Sequence, residues 1–361
     1  MTAMRKFAFI VAAISIICYF IYCIPNFFSS SSIEESYRNG FFQYLRVAYD
    51  YSLGKSPIPF IYVLLLLLLA GLVYFIKSLS IKEGGREKFV YIIKTAIYFC
   101  FAVFISFYLF WGMNYFAPGL RSKIKLKSIS IDSTMVVNEA IRVMDKLCTL
   151  RDKISDDSLA LAPEFVPKNL EDNVRVNVES ILEQWNIPIK GHPRIRLLRP
   201  SGILLRISTA GVYVPFVFEG HIDRGLSVIQ WPFTMAHEMC HAYGITDEGE
   251  CNFVAILACI KSDDAFIKYS GMLAYWRYLA NSLRDNTEYS FLEVVSSRTP
   301  AIRNDIKDIY AHLDDYPDIL PGLRDIVYDS YLKANGVSEG MKSYGMVLEM
   351  MLQYDRLQLA E

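Results

Sequence analysis

Three uncharged stretches near the start of the chain limit its possible folds more than any other feature. Residues 7–24 run 18 positions without a charge, residues 57–76 run 20, and residues 95–120 carry none. A hydrocarbon core about 30 Å thick takes roughly 20 apolar residues as a helix, and a helix satisfies its own backbone hydrogen bonds in lipid. The sequence therefore predicts three transmembrane helices, at about 7–24, 57–76 and 95–114, and a membrane domain over residues 1–120. Arg5 and Lys6 would also suit a cleaved signal peptide. However, the first run is longer than a usual signal core, Tyr19, Phe20 and Tyr22 crowd its end, and no A-x-A site follows, which favours a retained anchor. Lys77, Lys82, Arg86 and Lys88 fill the short connection between the second and third runs. With Arg5 and Lys6 on the same side, they point to a cytoplasmic N-terminus and an extracytoplasmic remainder, against the basic cluster Arg121, Lys123, Lys125 and Lys127 at the exit of the third run. A multi-pass membrane protein is expected, with the lipid bilayer as a partner.

From about Lys125 the composition turns mixed and charged, and residues 125–361 read as one folded domain large enough for a core. Helical periodicity runs over 131–154, starting at Asp132 or Ser133, and again over 170–185. Residues 203–218 are β-branched and aromatic, interrupted by Gly211 and Pro215, and predict two short strands or one bent edge strand. Beyond Pro232 the pattern is helical, with breaks near Gly244, 286–288, Pro300, 317–321 and 336–340. The fold class expected is thus N-terminal transmembrane helices plus an α+β, mostly helical domain. Thirty-seven Lys and Arg nearly balance 38 Asp and Glu, so nothing favours a nucleic-acid partner. None of the seven cysteines forms a CxxC pair, which argues against a disulfide framework or a thiolate zinc site.

The chemistry concentrates in WPFTMAHEMCHAYGITDEGECNFVAILACI. Pro232 suits the first turn of a helix and Gly244 its C-terminal stop. His237 and His241 then lie one turn apart on one face, where both imidazoles can converge on an ion, and Glu238 projects beside them toward a metal-bound water. This is the HExxH arrangement of zinc peptidases, whose catalytic ion takes one further protein ligand and keeps one position open. Thr246 suits the N-cap of the following helix, and Glu250 just inside it is the expected third ligand, completing a His2Glu set of the gluzincin type; Glu248 is its rival. Cys240 and Cys251 read as packing residues. Glu238 is the expected general base and one Zn2+ the expected cofactor, with a peptide or protein substrate. Tyr213, Tyr269, Tyr344 and Arg277 are candidates by residue type alone for the group that meets the oxyanion. The strand GVYVPF could hold an extended peptide at its edge, or be an ordinary core strand. His192, His221 and His312 read as structural or surface residues.

Four segments together, PSGILLRISTAGVYVPFVFEGHID, PFTMAHEMCHAYGITDEGECNFVAILAC, YSGMLAYWRYL and YDSYLKANGVSEGMKSYGMVLEMML, resemble the domain of unknown function 3810 family of bacterial membrane proteins. That resemblance spans nearly the whole chain and implies three N-terminal spans followed by a zincin-like metalloprotease domain. Its motif falls on His237, Glu238, His241, Gly244, Glu250, Asn252 and Phe253. Cys240 stands where such motifs usually carry alanine. Val254 replaces the acid that many gluzincins use to orient a histidine, leaving that partner unassigned. The reading is a membrane-anchored zinc peptidase; the alternative is a non-catalytic membrane scaffold or sensor that retains a structural zinc.

Overall fold

The computed structural model describes residues 3–126, 131–286, 294–319 and 344–358. The breaks expected at 286–288, 317–321 and 336–340 and the YDSYLKANGV block lie wholly or partly outside them. The protein is mostly helical with a small three-stranded sheet, and divides into two compact units, Met1–Pro118 with Val214–Glu219, and Gly119–Tyr213 with Gly220–Glu361.

In the first unit, helices α3 (Phe60–Ser80) and α4 (Gly85–Phe110) are long and apolar enough to cross a membrane, and their most apolar windows are entirely unburied by protein. The starts differ from the sequence expectation for local reasons. Pro59 has extended backbone and holds the N-cap position, so α3 begins at Phe60 and not at Pro57. Gly84, at φ +110°, breaks the chain just before α4, which therefore starts ten positions ahead of residue 95 and ends at Phe110. Helix α1 (Ala3–Phe27) covers the first uncharged run, and the apolar stretch found within it, Val11–Ile21, is shorter. Between α1 and α3 the chain is helical, with a π-helical segment Glu34–Phe41 leading into α2 (Phe42–Asp50). Arg38 donates to the carbonyls of Pro118 (2.7 Å) and Asn114 (2.9 Å), fixing the stretch that follows α4. The segment Val214–Glu219 belongs to this unit: Phe218 packs on Tyr49 and Phe110, each 5.5 Å away, and Glu219 accepts the Phe60 N–H at 2.8 Å.

The second unit starts with a helical turn at Leu120–Lys123 and helix α5 (Ser133–Ile154), whose N-cap Asp132 accepts the Met135 N–H at 2.8 Å. Helix α6 (Leu170–Gln184) follows. The sheet has the order β1-β3-β2, with β1 at Arg194–Leu198, β2 at Gly211–Val214 and β3 at Glu219–Asp223. Only β2 lies wholly within the 203–218 region expected to carry two strands. The first half of that region is turned because buried Asp223 accepts the amides of Gly202 (2.7 Å), Leu204 (2.7 Å) and Leu205 (3.0 Å), which gathers them into a turn that strand pairing cannot use. Helices α7 (Trp231–Ala242), α8 (Glu248–Ile260), α9 (Ala265–Asn286), α10 (Pro300–Asp314) and α11 (Tyr344–Gln358) complete the unit.

Helix α8 lies at the centre of the core, and all residues from Gly249 to Cys259 are buried. Its helical neighbours can come close because Gly271 has no side chain: a Cβ there would stand 2.3 Å from that of Cys259. A buried ion pair ties α5 to α10, with Arg151 Nε donating to Asp305 Oδ2 at 2.8 Å. Asp305 also accepts the Tyr269 hydroxyl (2.7 Å) and the Leu161 amide (2.9 Å). Its acceptors are thereby satisfied within the core, as a buried pair requires.

Candidate metal centre

Helix α7 carries Pro232 in its first turn and ends at Ala242, with Gly244 at φ +91° just beyond its C-cap Tyr243. The Gly244 N–H donates to the His241 carbonyl at 2.9 Å and the Ile245 N–H to that of Cys240 at 3.1 Å. This paired closure reverses the chain with few residues and leaves those carbonyls satisfied. Buried Tyr243 reinforces it by donating its hydroxyl to Glu179 at 2.5 Å. The next helix is capped by Asp247, which accepts the Glu250 N–H at 2.9 Å, one residue later than the expected cap Thr246. Glu248 is therefore the first residue of α8.

This register decides which acid meets the histidines. Glu248 and Glu250 lie about 200° apart around a helix, so only one can face a given neighbour. Glu248 faces them: its Oε2 is 3.1 Å from His237 Nε2 and its Oε1 3.4 Å from His241 Nε2. Glu250, the expected third ligand, points elsewhere, and its Oε1 accepts the Arg121 N–H at 2.8 Å. Glu250 thus holds the turn at Leu120–Lys123 to α8 and does not face the histidines in the way its spacing predicts.

The His237 and His241 Nε2 atoms are 3.2 Å apart, and with a Glu248 oxygen they form a set whose members lie within 4.8 Å of one another. Nitrogen donors about 2.1 Å from a tetrahedral ion would be separated by roughly 3.4 Å, so the spacing fits a zinc-sized cation. The tautomers fit as well. His237 Nδ1 lies 2.8 Å from Asn252 Oδ1 and His241 Nδ1 2.9 Å from the Ile245 carbonyl. Both partners only accept, so each Nδ1 carries its hydrogen and each Nε2 presents its lone pair inward when neutral. Asn252 is the residue that orients His237, the partner for which the sequence offers no acid at Val254; the i,i+4 spacing from Glu248 puts the two on one face of α8. Stacking of Phe253 on Trp185, centroids 5.9 Å apart, fixes a neighbouring face of that helix.

Charge in the cluster is mutually arranged. Burial opposes protonation of His241, but the adjacent Glu248 charge and hydrogen bond lift its pKa to about 10. Burial alone would raise Glu248; the charge of His241 and hydrogen bonds from both imidazoles override it and hold the carboxyl well below its usual range. The two shifts support each other: the cationic form of His241 and the anionic form of Glu248 are favoured together. Glu238 differs: burial pushes it up to about 7, against the pull of the two histidines. Its Oε2 has no hydrogen-bond partner among the described residues. The Tyr213 amide approaches the carboxylate, and a Cβ on Gly211 would stand 2.6 Å from Oε1, so the sheet edge closes directly over this side chain. A buried carboxylate with an unused acceptor, beside a donor set of this kind, suits a water or a reacting proton.

The other candidates separate clearly. Cys251 Sγ lies 3.4 Å from His241 Nδ1, the nitrogen facing away from Glu248, and burial raises its thiol pKa well above the ordinary value, so it does not join the cluster. Tyr269 is engaged by Asp305, Arg277 lines a cavity on α9, and the side chain of Tyr344 is outside the described residues. Tyr213 remains next to Glu238. His312 contacts the Gly225 carbonyl at 2.9 Å, as a structural histidine would.

No curated protein and no solved structure matches the chain. The family model described as protein of unknown function (DUF3810) matches residues 37–352, a span that holds both apolar helices, the sheet and the His237–Glu248 cluster. The chain belongs to the DUF3810 family.

Proposed function

We propose that the protein is a membrane-anchored, zinc-dependent peptidase whose zincin-like domain works outside the cytoplasm. The observation that carries this reading is the convergence of His237 Nε2, His241 Nε2 and a Glu248 oxygen within 4.8 Å, with Glu238 one residue beyond the first ligand. His237, His241 and Glu248 would hold the ion. When bound, zinc supplies Lewis-acid polarisation of a carbonyl and a bound water with a pKa near 7.

The remaining steps belong to the protein. Glu238, at about 7, is suited to take a proton from the attacking water and return it to the leaving amine, since a base poised near the working pH serves both directions. Asn252 and the Ile245 carbonyl keep both imidazoles in the ligating tautomer. Strand β2, at the end of the sheet order, offers an edge along which an extended peptide can lie beside Glu238. A purely structural zinc would call for a fourth protein ligand and no base, whereas the cluster among the described residues has three members. The two helices able to cross a membrane support anchoring in a bilayer.

The test uses the full chain in detergent. Metal is measured by elemental analysis in the wild type and in His237→Ala, Glu248→Ala, Glu250→Ala and Glu238→Gln, alongside cleavage of a quenched fluorescent peptide library. The reading expects about one zinc per chain in the wild type, Glu250→Ala and Glu238→Gln, its loss in the other two, and cleavage lost in Glu238→Gln. Folded wild type without zinc would refute the reading.

A further inference from the structure

The second unit contains a cavity of about 530 Å3 lined in part by the N-terminal half of α7. One wall is a stripe of α9 at helical spacing that includes Leu273, Arg277 and Asn281; Thr234 of α7, Ala210 and Ile309 of α10 line other sides. Thr234 is one turn before Glu238 on the same face of α7. Ala210 immediately precedes Gly211, whose backbone packs on the Glu238 carboxylate. The lining thus comes within one helical turn and one residue of the groups that contact Glu238, and the volume falls within the range of ligand sites.

The walls are largely apolar, and Arg277 is the charged residue lining the cavity among the described residues. Its guanidinium lies 5.9 Å from the centroid of the Tyr310 ring, and that ring is 52% exposed. The cation is thus held beside an exposed ring and lines a cavity whose other walls are largely apolar. We infer that this cavity receives an apolar peptide residue carrying or adjoining a carboxylate, with its hydrocarbon seated against Leu273 and Ile309 and its carboxylate met by Arg277. The catalytic meaning of the assignment rests on the peptidase reading. Planar two-point recognition of a carboxylate is what a guanidinium supplies best. The carboxylate could be the C-terminus of a peptide or an acidic side chain next to the apolar one.

Binding, not turnover, tests this. Full-length Glu238→Gln protein in detergent is titrated calorimetrically with N-acetyl-Leu-Phe and with its C-terminal amide, and separately with N-acetyl-Glu-Phe-amide and N-acetyl-Gln-Phe-amide. Zinc content is measured on the same samples. A preference of tenfold or more for the free acid over its amide, lost in Arg277→Gln and only partly restored in Arg277→Lys, identifies a terminal carboxylate. The same pattern in the second pair identifies an acidic side chain. Equal binding within both pairs overturns the assignment and requires no pocket variant. An acid preference that persists in Arg277→Gln at unchanged melting temperature overturns it as well. If zinc is absent while the acid preference holds, the peptidase reading fails and the pocket stands; if zinc is bound without acid preference, the pocket fails alone.

Discussion

Asn252 Oδ1 sits 2.8 Å from His237 Nδ1, one helical turn beyond Glu248, so a single face of α8 supplies both a ligand candidate and the group that sets the tautomer of another. Replacing Asn252 with Leu removes the acceptor at similar size. Outer-shell partners of this type are worth roughly 10- to 100-fold in metal affinity. Competition against a zinc chelator should show a loss in that range, with far-UV circular dichroism unchanged. Undiminished affinity would mean that the ring is held by packing alone.

Glu248 and Glu250 should behave oppositely. Glu248→Gln weakens zinc binding, whereas Glu250→Gln retains the metal and lowers thermal stability. The charge-assisted bond from the Arg121 amide would be replaced by a neutral one, and bonds to charged groups contribute about 1.5–3 kcal/mol. Melting curves and zinc analysis on the same preparations separate the two effects.

Burial of Glu238 predicts a pH signature in the metal-free protein. The folded pKa is about 7 against an ordinary 4.5, so the carboxyl is neutral in both states below pH 4.5. Between pH 4.5 and 7 the unfolded chain ionises this carboxyl while the folded state keeps it protonated, so stability is lost across that window by up to roughly 3 kcal/mol, at about 1.36 kcal/mol per unit, and levels off above pH 7. Gln is neutral throughout. Glu238→Gln should therefore melt higher than the wild type at pH 8, with the gap shrinking toward pH 5, when both are stripped with a chelator. A gap that is constant with pH would place the titration elsewhere.

Gly271→Ala should be among the more damaging small substitutions in the core. The added Cβ would meet that of Cys259 at 2.3 Å, and overpacking of this kind costs about 1–3 kcal/mol. Chemical denaturation of the detergent-solubilised chain should show a lowered midpoint.

The local features of the site were legible because they depend on spacing within one helix: His237, Glu238 and His241, the start at Pro232 and the stop at Gly244. The choice of Glu248 over Glu250 was not, since it turns on whether Thr246 or Asp247 caps α8, and helical phase changes by about 100° per residue. The long apolar helices could be read from composition, but their ends were set by Pro59 and Gly84, which hydropathy does not weigh. The first half of 203–218 looked like a strand by its side chains and is a turn because of Asp223, a distant carboxylate that collects its amides. Arg277 could be named only by type, because its relation to the cavity depends on how α9 packs.

The tight reversal at Gly244 also has a kinetic consequence. His237 and Asn252 are 15 positions apart, and every residue of the donor cluster falls between them, so closing the site requires only a short loop whose ordering entropy is small. The cluster can form as a helical hairpin before distant parts of the chain have docked, and such local contacts form early in folding. Lengthening the 243–247 turn by a few glycines should slow assembly of the cluster and scatter its ligands. An insertion of the same length between Ser155 and Leu159, remote from the hairpin, should leave it intact.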